Sequence, residues 1–332
     1  MASDSSKNPH FIPGLSKNKK ASHWTSPSHG AVLILVLVTL LALSGLVLHT
    51  TEMTSRRFAD ASHLVLEYKA GLKAESSLHK ALELLNLLLR NSQRGWPRGG
   101  EALWEEQGVR IAITPCSAKL NLNGLAQKKK VFQRLQQALL EIFRPENISP
   151  KEIQNFLYWI GANDSPASVP GTQAMELSST RRDLNYSPPG RTLIRPEELL
   201  LIPGFTHLSP DWIRQRFTVW GQPGRIDLSF ASREIILAFL PELAPYWDRI
   251  AEFRLDNKLT HPNQLLTEIG LDMDTYSQVL PYLSWETEHF EILIQSREGE
   301  WQEVQRYIVQ YDLVGAQARP QILARDILHT GY

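Results

Sequence analysis

Side chains able to do chemistry are scattered along this chain of 332 residues rather than gathered into a constellation. Cys116 is the single cysteine, which excludes an internal disulfide and any multi-cysteine metal site; a small buried apolar side chain is its expected role. The ten histidines lie apart, with His49 and His63 on a long helical stretch and His207 and His261 at turns. No Gly-rich phosphate loop, His-Glu-x-x-His or Gly-x-Ser-x-Gly occurs, so nothing here reads as an enzyme. Asp272 and Asp274 could offer a cation two carboxylates, but their place ahead of Tyr276 and Val279 is that of a helix cap. In "KLNLNGL", Asn121 and Asn123 have amides suited to capping helices or bonding the backbone in a turn, and no chemistry is assigned to them.

The elements that must carry these residues begin with a membrane question. From Ala31 to Leu48 run eighteen uncharged residues, broken only by Thr39, Ser44 and Gly45. As a helix they reach about 27 Å, close to a hydrocarbon core of about 30 Å. Lys17, Lys19 and Lys20 precede the run, so the positive-inside rule keeps that end cytoplasmic and exports the chain beyond Leu48. Three fates compete. A secretory signal would use Ala42-Leu43-Ser44 and be cut before Gly45; a plain anchor would stay whole; a third kind of segment is cut at its cytoplasmic edge and kept. Beyond the span, Phe58, Ala61, Leu64, Val65, Tyr68 and Leu72, then Leu78, Leu82, Leu85 and Leu89, continue a helical spacing to about Arg90. One helix of some sixty residues is expected, its second half seating a compact domain.

Composition supports such a domain. Hydrophobic residues make up 42% and charged residues 21%, enough for a real core in one or two domains. Lys plus Arg equals Asp plus Glu at 35 each, so no overall field draws in nucleic acid or anionic lipid. "GVRIAITP" (Gly108 to Pro115) alternates as a strand with one buried face. From about Ala126 to Ser284 the pattern is helical: Gln127 to Phe143 is closed by Pro145, and Ser149-Pro150-Lys151-Glu152 forms a capping box ahead of "IQNFLYWIG". Ala162 to Gln173 is a loop of turn formers, and "RPEELLLIPGF", "SPDWIRQRF" and "IDLSFASREIILAFLPEL" open as further helices. "EHFEILIQS" and "WQEVQRYIVQYDL" then alternate as two strands joined by a turn containing Gly299.

A basic leader, Gly30, an apolar run starting at Ala31 and a helix passing from membrane to soluble domain together resemble the class III leader of type IV pilins and type II secretion pseudopilins. The Asn-Leu-Asn turn, the helix ending in Trp159-Ile160, "EELLLIPGF" and "IDLSFASREIILAFLPEL" come in the order of the K-type minor pseudopilins, and the match spans nearly the whole chain. This resemblance implies an α+β fold: a type IV pilin-like long N-terminal helix packed on a small antiparallel sheet, with a large all-helical insertion of helix-hairpin-helix/SAM-like character. The implied organisation is a cytoplasmic leader (1–30), a transmembrane half-helix (31–48), the periplasmic helix with the first strand (49–115), the helical insertion (116–285) and the remaining strands (286–332). A prepilin peptidase would cut between Gly30 and Ala31; glycine suits an extended peptide in a protease cleft because it lacks Cβ. Most pilins carry Glu at the fifth mature position, where this chain has Leu35, a replacement that implies the filament tip because an unpaired carboxylate there is costly. Implied partners are the minor pseudopilins I and J, also H, the prepilin peptidase and the inner-membrane secretion platform.

Two alternatives stay open. Some K subunits bind calcium through an aspartate-rich stretch; here Gly161-Ala162-Asn163-Asp164 leaves one carboxylate where calcium wants several, so no cofactor is expected and calcium is the exception to watch. The insertion also resembles a DNA-gripping helix-hairpin-helix, but its hairpin reads Leu240-Pro241-Glu242-Leu243, which removes a donor and adds a repelling charge. "LIPGF" keeps Gly204 with only Arg195 and His207 as nearby cations, so no nucleic-acid partner is expected.

Overall fold

The computed structural model describes residues 29–90, 101–126, 129–162, 189–255, 259, 261–311 and 320–329. Helix α1 is continuous over His29–Arg90. The chain divides into two compact units, Met1–Ser62 and His63–Tyr332. In the first, the large apolar side chains from Val32 to Leu48 are all exposed, as suits a segment whose solvent is lipid.

In the second unit a five-stranded antiparallel sheet is ordered β1-β2-β7-β8-β9. Its strands are β1 (Ala102–Glu106), β2 (Val109–Pro115), β7 (His289–Glu298), β8 (Trp301–Tyr311) and β9 (Pro320–His329). Strand β2 matches the sequence expectation. Strands β1 and β9 flank it as edges that the hydrophobic pattern did not reveal. The cue for β1 is Gln107-Gly108: both residues have positive φ, 49° and 74°, which is the geometry of a two-residue hairpin whose twist matches that of the strands. Gly299-Glu300 forms the second two-residue loop, with Glu298 paired to Trp301.

One face of the sheet packs on the second half of α1. Ala70, Ala74, Ala81 and Leu85 are fully buried, the last three against Ile111, Ile113, Ile292, Ile294, Tyr307 and Val309. Three of these four positions are alanines, whose small side chains let the helix backbone approach the sheet. Leu78, Leu82 and Leu89 of the expected stripe are only partly buried, while Phe58, Leu64, Val65, Tyr68 and Leu72 stand exposed. Ser296 Oγ donates to the Ala70 carbonyl at 2.7 Å, and Tyr311 OH to Asn86 Oδ1 at 3.0 Å.

Between β2 and β7 the chain makes the insertion. Its helices are α2 (Lys129–Phe143), α3 (Pro150–Trp159), α4 (Pro210–Arg216), α5 (Arg233–Phe239), α6 (Trp247–Leu255), α7 (Gln264–Thr267) and α8 (Met273–Val279). Four start on side-chain caps, each accepting a backbone N–H of the first turn: Ser149, Ser209, Ser232 and Asp272. The Ser149–Glu152 capping box is present as expected. Pro196–Leu201 is a 3-10 helix, and the stretch from Ile226 begins extended, so that α5 starts only at Arg233. Two pairs of two-residue parallel strands lie among the helices: β3 (Leu120–Asn121) with β4 (Phe217–Thr218), and β5 (Ile226–Asp227) with β6 (Leu283–Ser284). An aromatic knot centres the insertion core, with the Phe143 ring 5.3 Å from Phe205, 5.2 Å from Phe217 and 5.6 Å from Trp212.

Candidate functional site

Gly30, Ala31 and Leu35 all lie in the opening turns of α1, and Leu35 is 65% exposed. A peptide bond within a helical turn must be drawn out before a protease can use it, and glycine weakens that turn by roughly 0.5–1 kcal/mol relative to alanine. Within the apolar run Thr39 Oγ1 donates to the Val36 carbonyl at 2.9 Å. At its far end Thr50 and Thr51 bond back to Leu46 and Val47 in the same way. The segment thus satisfies these hydroxyls internally, the condition for placing them in hydrocarbon.

The second feature is a buried charged joint that sequence reasoning missed. On the sheet face turned away from α1, Glu291 (β7), Arg306 (β8) and Asp326 (β9) are 5%, 5% and 8% exposed. Arg306 Nη2 donates to Asp326 Oδ2 at 2.6 Å, and Arg306 Nη1 to Glu197 Oε1 of the insertion at 2.5 Å. Lys119 pairs with Glu291, and Arg195 reaches Asp326 at 2.6 Å. Arg214 of α4 backs Glu197 at 3.3 Å and also pairs with Asp211. Burial alone would favour a neutral guanidine at Arg306, but Glu197, Asp326 and Glu291 hold it firmly charged. In sequence these residues look like the polar half of an alternating strand, which normally faces water.

A buried carboxylate ties the neck of the insertion. Asp227 accepts from the Ser229 N–H at 2.9 Å and from Thr287 Oγ1 at 3.2 Å, and Thr287 Oγ1 lies 2.6 Å from Ser117 Oγ. Ser117 and Thr287 stand on the chain entering and leaving the insertion. Asn121 and Asn123 act as the backbone-bonding residues expected. Asn121 accepts from the Asn123 N–H and donates to the Trp220 and Gly221 carbonyls, while Asn123 donates to Leu193 and Val219 and accepts from Leu193.

Four cations of the helix-hairpin-helix-like region are engaged inside the protein, while Arg233 at the start of α5 is exposed. Arg134 makes a two-pronged pair with Glu242 at 2.8 and 2.9 Å. Arg254 donates to the Ser229 and Ala231 carbonyls, Arg249 to that of Ile269, and His207 Nε2 lies 3.1 Å from the Glu146 carbonyl. Asp272 is the cap of α8, accepting from Thr275 and from Tyr246 OH, bonds that hold its carboxyl down at about 2. Asn163 and Asp164, with residues 1–28, lie outside the described residues. Among the described residues no group of three or more His, Cys, Asp or Glu side chains is placed to hold a metal ion.

A long N-terminal helix whose second half is seated on an antiparallel sheet, interrupted after its second strand by a large helical insertion, defines a pilin-like fold. Among solved structures, the chain is similar to a chain in the crystal structure of the GspK-GspI-GspJ complex from the enterotoxigenic Escherichia coli Type 2 Secretion System. The TM-score is 0.52 and the identity 18%, with 81% of this chain and 99% of that chain covered. No protein-family model matches the chain. No curated protein matches it either.

Proposed function

We propose that this chain is a minor pseudopilin of the K type, which anchors in the inner membrane, joins the smaller minor pseudopilins I and J at the tip of a type II secretion pseudopilus, and helps start the filament that exports folded proteins. The reading rests on one observation: the fold is similar to that of a chain of the GspK-GspI-GspJ complex, with a TM-score of 0.52 over 81% of this chain. Residues 31–48 would form the span, with the N-terminus cytoplasmic and the body periplasmic. A prepilin peptidase would remove 1–30 and leave Ala31 as the first residue, while Leu35 would spare a tip subunit an unpaired carboxylate. The insertion would hinder another subunit from stacking above it. The work is geometric, with no catalytic residue assigned.

Mass spectrometry of the membrane-bound protein tests the proposal. A mature chain beginning at Ala31 is expected, and Gly30→Val should leave the leader in place without unfolding the soluble body. An intact leader in a strain with an active peptidase, or a chain beginning at Gly45, would overturn it.

A further inference from the structure

The insertion and the helix-backed sheet have separate apolar cores. One gathers buried residues from Leu120 to Leu283; the other gathers Ala74, Ala81 and Leu85 of α1 with strand residues, and no buried residue belongs to both. Among the described residues, Phe230 is the insertion side chain packed against the core between α1 and the sheet, while the opposite face of the sheet buries Ala112 and Ile308. Such apolar contacts on a pleated face permit rotation and sliding. The charged joint meets the sheet differently, on three neighbouring strands: Lys119 at Glu291 of β7, Glu197 at Arg306 of β8, and Arg195 at Asp326 of β9. Arg306 and Asp326 are direct partners in the ladder, and Glu291 sits diagonally from Arg306, whose own partner on β7 is Leu293. Strands lie about 4.8 Å apart, so the contacts are spread over roughly 10 Å, which is enough to resist rotation. Ion pairs add directional demands that apolar packing lacks: a guanidinium holding two carboxylates accepts few other arrangements.

We propose that the ion-pair cluster of Lys119, Glu291, Arg306 and Asp326, all buried, with half-buried Glu197 and exposed Arg195, is an orientation lock that fixes the angle at which the insertion sits on the sheet. It holds two bodies with independent cores in one relative pose, so that a surface formed partly by each is presented as a unit. Removing the lock frees the pose while leaving both cores intact.

The test uses the full chain in detergent with spin labels at Ser76→Cys on α1 and Lys151→Cys on α3, both exposed. Native Cys116 is buried and stays unlabelled. Four neutral replacements, Arg195→Gln, Glu197→Gln, Arg306→Gln and Asp326→Asn, remove the central and β9 contacts. They leave Lys119 with Glu291 and Arg214 with Asp211, so no charge is stranded. Electron–electron dipolar spectroscopy is expected to show one narrow inter-label distance in the parent, and in the variant a loss of that single distance to a broad distribution, with tryptophan emission unchanged. An equally narrow, unshifted distance in the folded variant overturns the lock. Should the fourfold variant lose its native emission, Arg195→Gln with Glu197→Gln, which removes the insertion's partners on β8 and β9 and leaves Arg306 paired with Asp326, decides the matter by the same reading: broadening supports the lock and an unchanged distance refutes it.

Discussion

Cys116 and Asp227 show what burial does to a single titratable side chain. Cys116 is 1% exposed, and desolvation with the nearby Glu291 charge pushes its thiol up to about 12, against smaller opposing contributions led by Lys119. Since the thiolate is the nucleophile, this thiol is inert in the folded chain. Iodoacetamide at pH 8 is expected to leave Cys116 unmodified in native protein and to alkylate it fully in urea, as mass spectrometry would register. For Asp227, burial raises the carboxyl to about 6, partly offset by its bonds from Ser229 and Thr287. An unfolded aspartate titrates near about 3.9. Between about pH 6 and pH 4 the folded state therefore binds more protons than the unfolded state, and this group's contribution to stability grows as pH falls through that window. Asp227→Asn should remove that contribution. Urea unfolding at pH 7 and pH 4.5 would show a smaller gain on acidification in the variant than in the parent, whereas equal gains would contradict the sign.

At the level of elements, caps and turns govern where helices and strands start. Ser149 and Glu152 close the capping box of α3, and Glu152 also leans over Gly204, whose φ of +99° already favours glycine. A Cβ on residue 204 would lie 2.5 Å from Glu152 Cγ and Oε1, so Gly204→Ala both strains the backbone and displaces the capping carboxylate. Its expected cost is about 1–3 kcal/mol in urea unfolding. In a Glu152→Ala background the cost should be smaller, with a coupling of at least about 0.5 kcal/mol from the double-mutant cycle. The same short-range logic explains what was legible from the residues. The starts of α3 and α4 are signalled by Ser149-Pro150 and Ser209-Pro210, and the β7–β8 hairpin by alternation around Gly299, whereas the helix read from Ile226 starts only after its Ser232 cap. Strand β1 is short and mostly exposed, and β9 carries exposed Ile322 and Ile327 with a register shift opposite Ile308 and Val309. Such edge strands need only one neighbour and one buried face, so their alternation is weak.

For the whole molecule the charged joint is the costliest place to err. Arg306 compensates Asp326 and Glu197, with Glu291 3.9 Å away, and all four side chains are largely shielded from water. Arg306→Ala would leave Glu197, Asp326 and Glu291 with only Arg214, Arg195 and Lys119, and a loss of up to about 3–5 kcal/mol is expected by urea unfolding of the full chain in detergent. Glu197→Gln together with Arg306→Gln removes both signs and should cost clearly less. Equal losses would show that volume rather than charge balance sets the penalty.

The residues alone determined the apolar span from Ala31, the continuation of its helix to Arg90, the capped helices and the position of the insertion between strands, because each depends on contacts within a few residues. The roles proposed for Gly30, Ala31 and Leu35 come from the resemblance of the leader and apolar run, not from local periodicity. Only the tertiary structure decided that Ala70, Ala74 and Ala81 join Leu85 as the fully buried positions on this part of α1, that Asp227 ties Ser117 and Thr287 at the neck, and that Glu197 meets Arg306 across 109 positions. Polar residues on an alternating strand look alike whether they face water or a second body. Which they face depends on long-range packing, and no local periodicity encodes it.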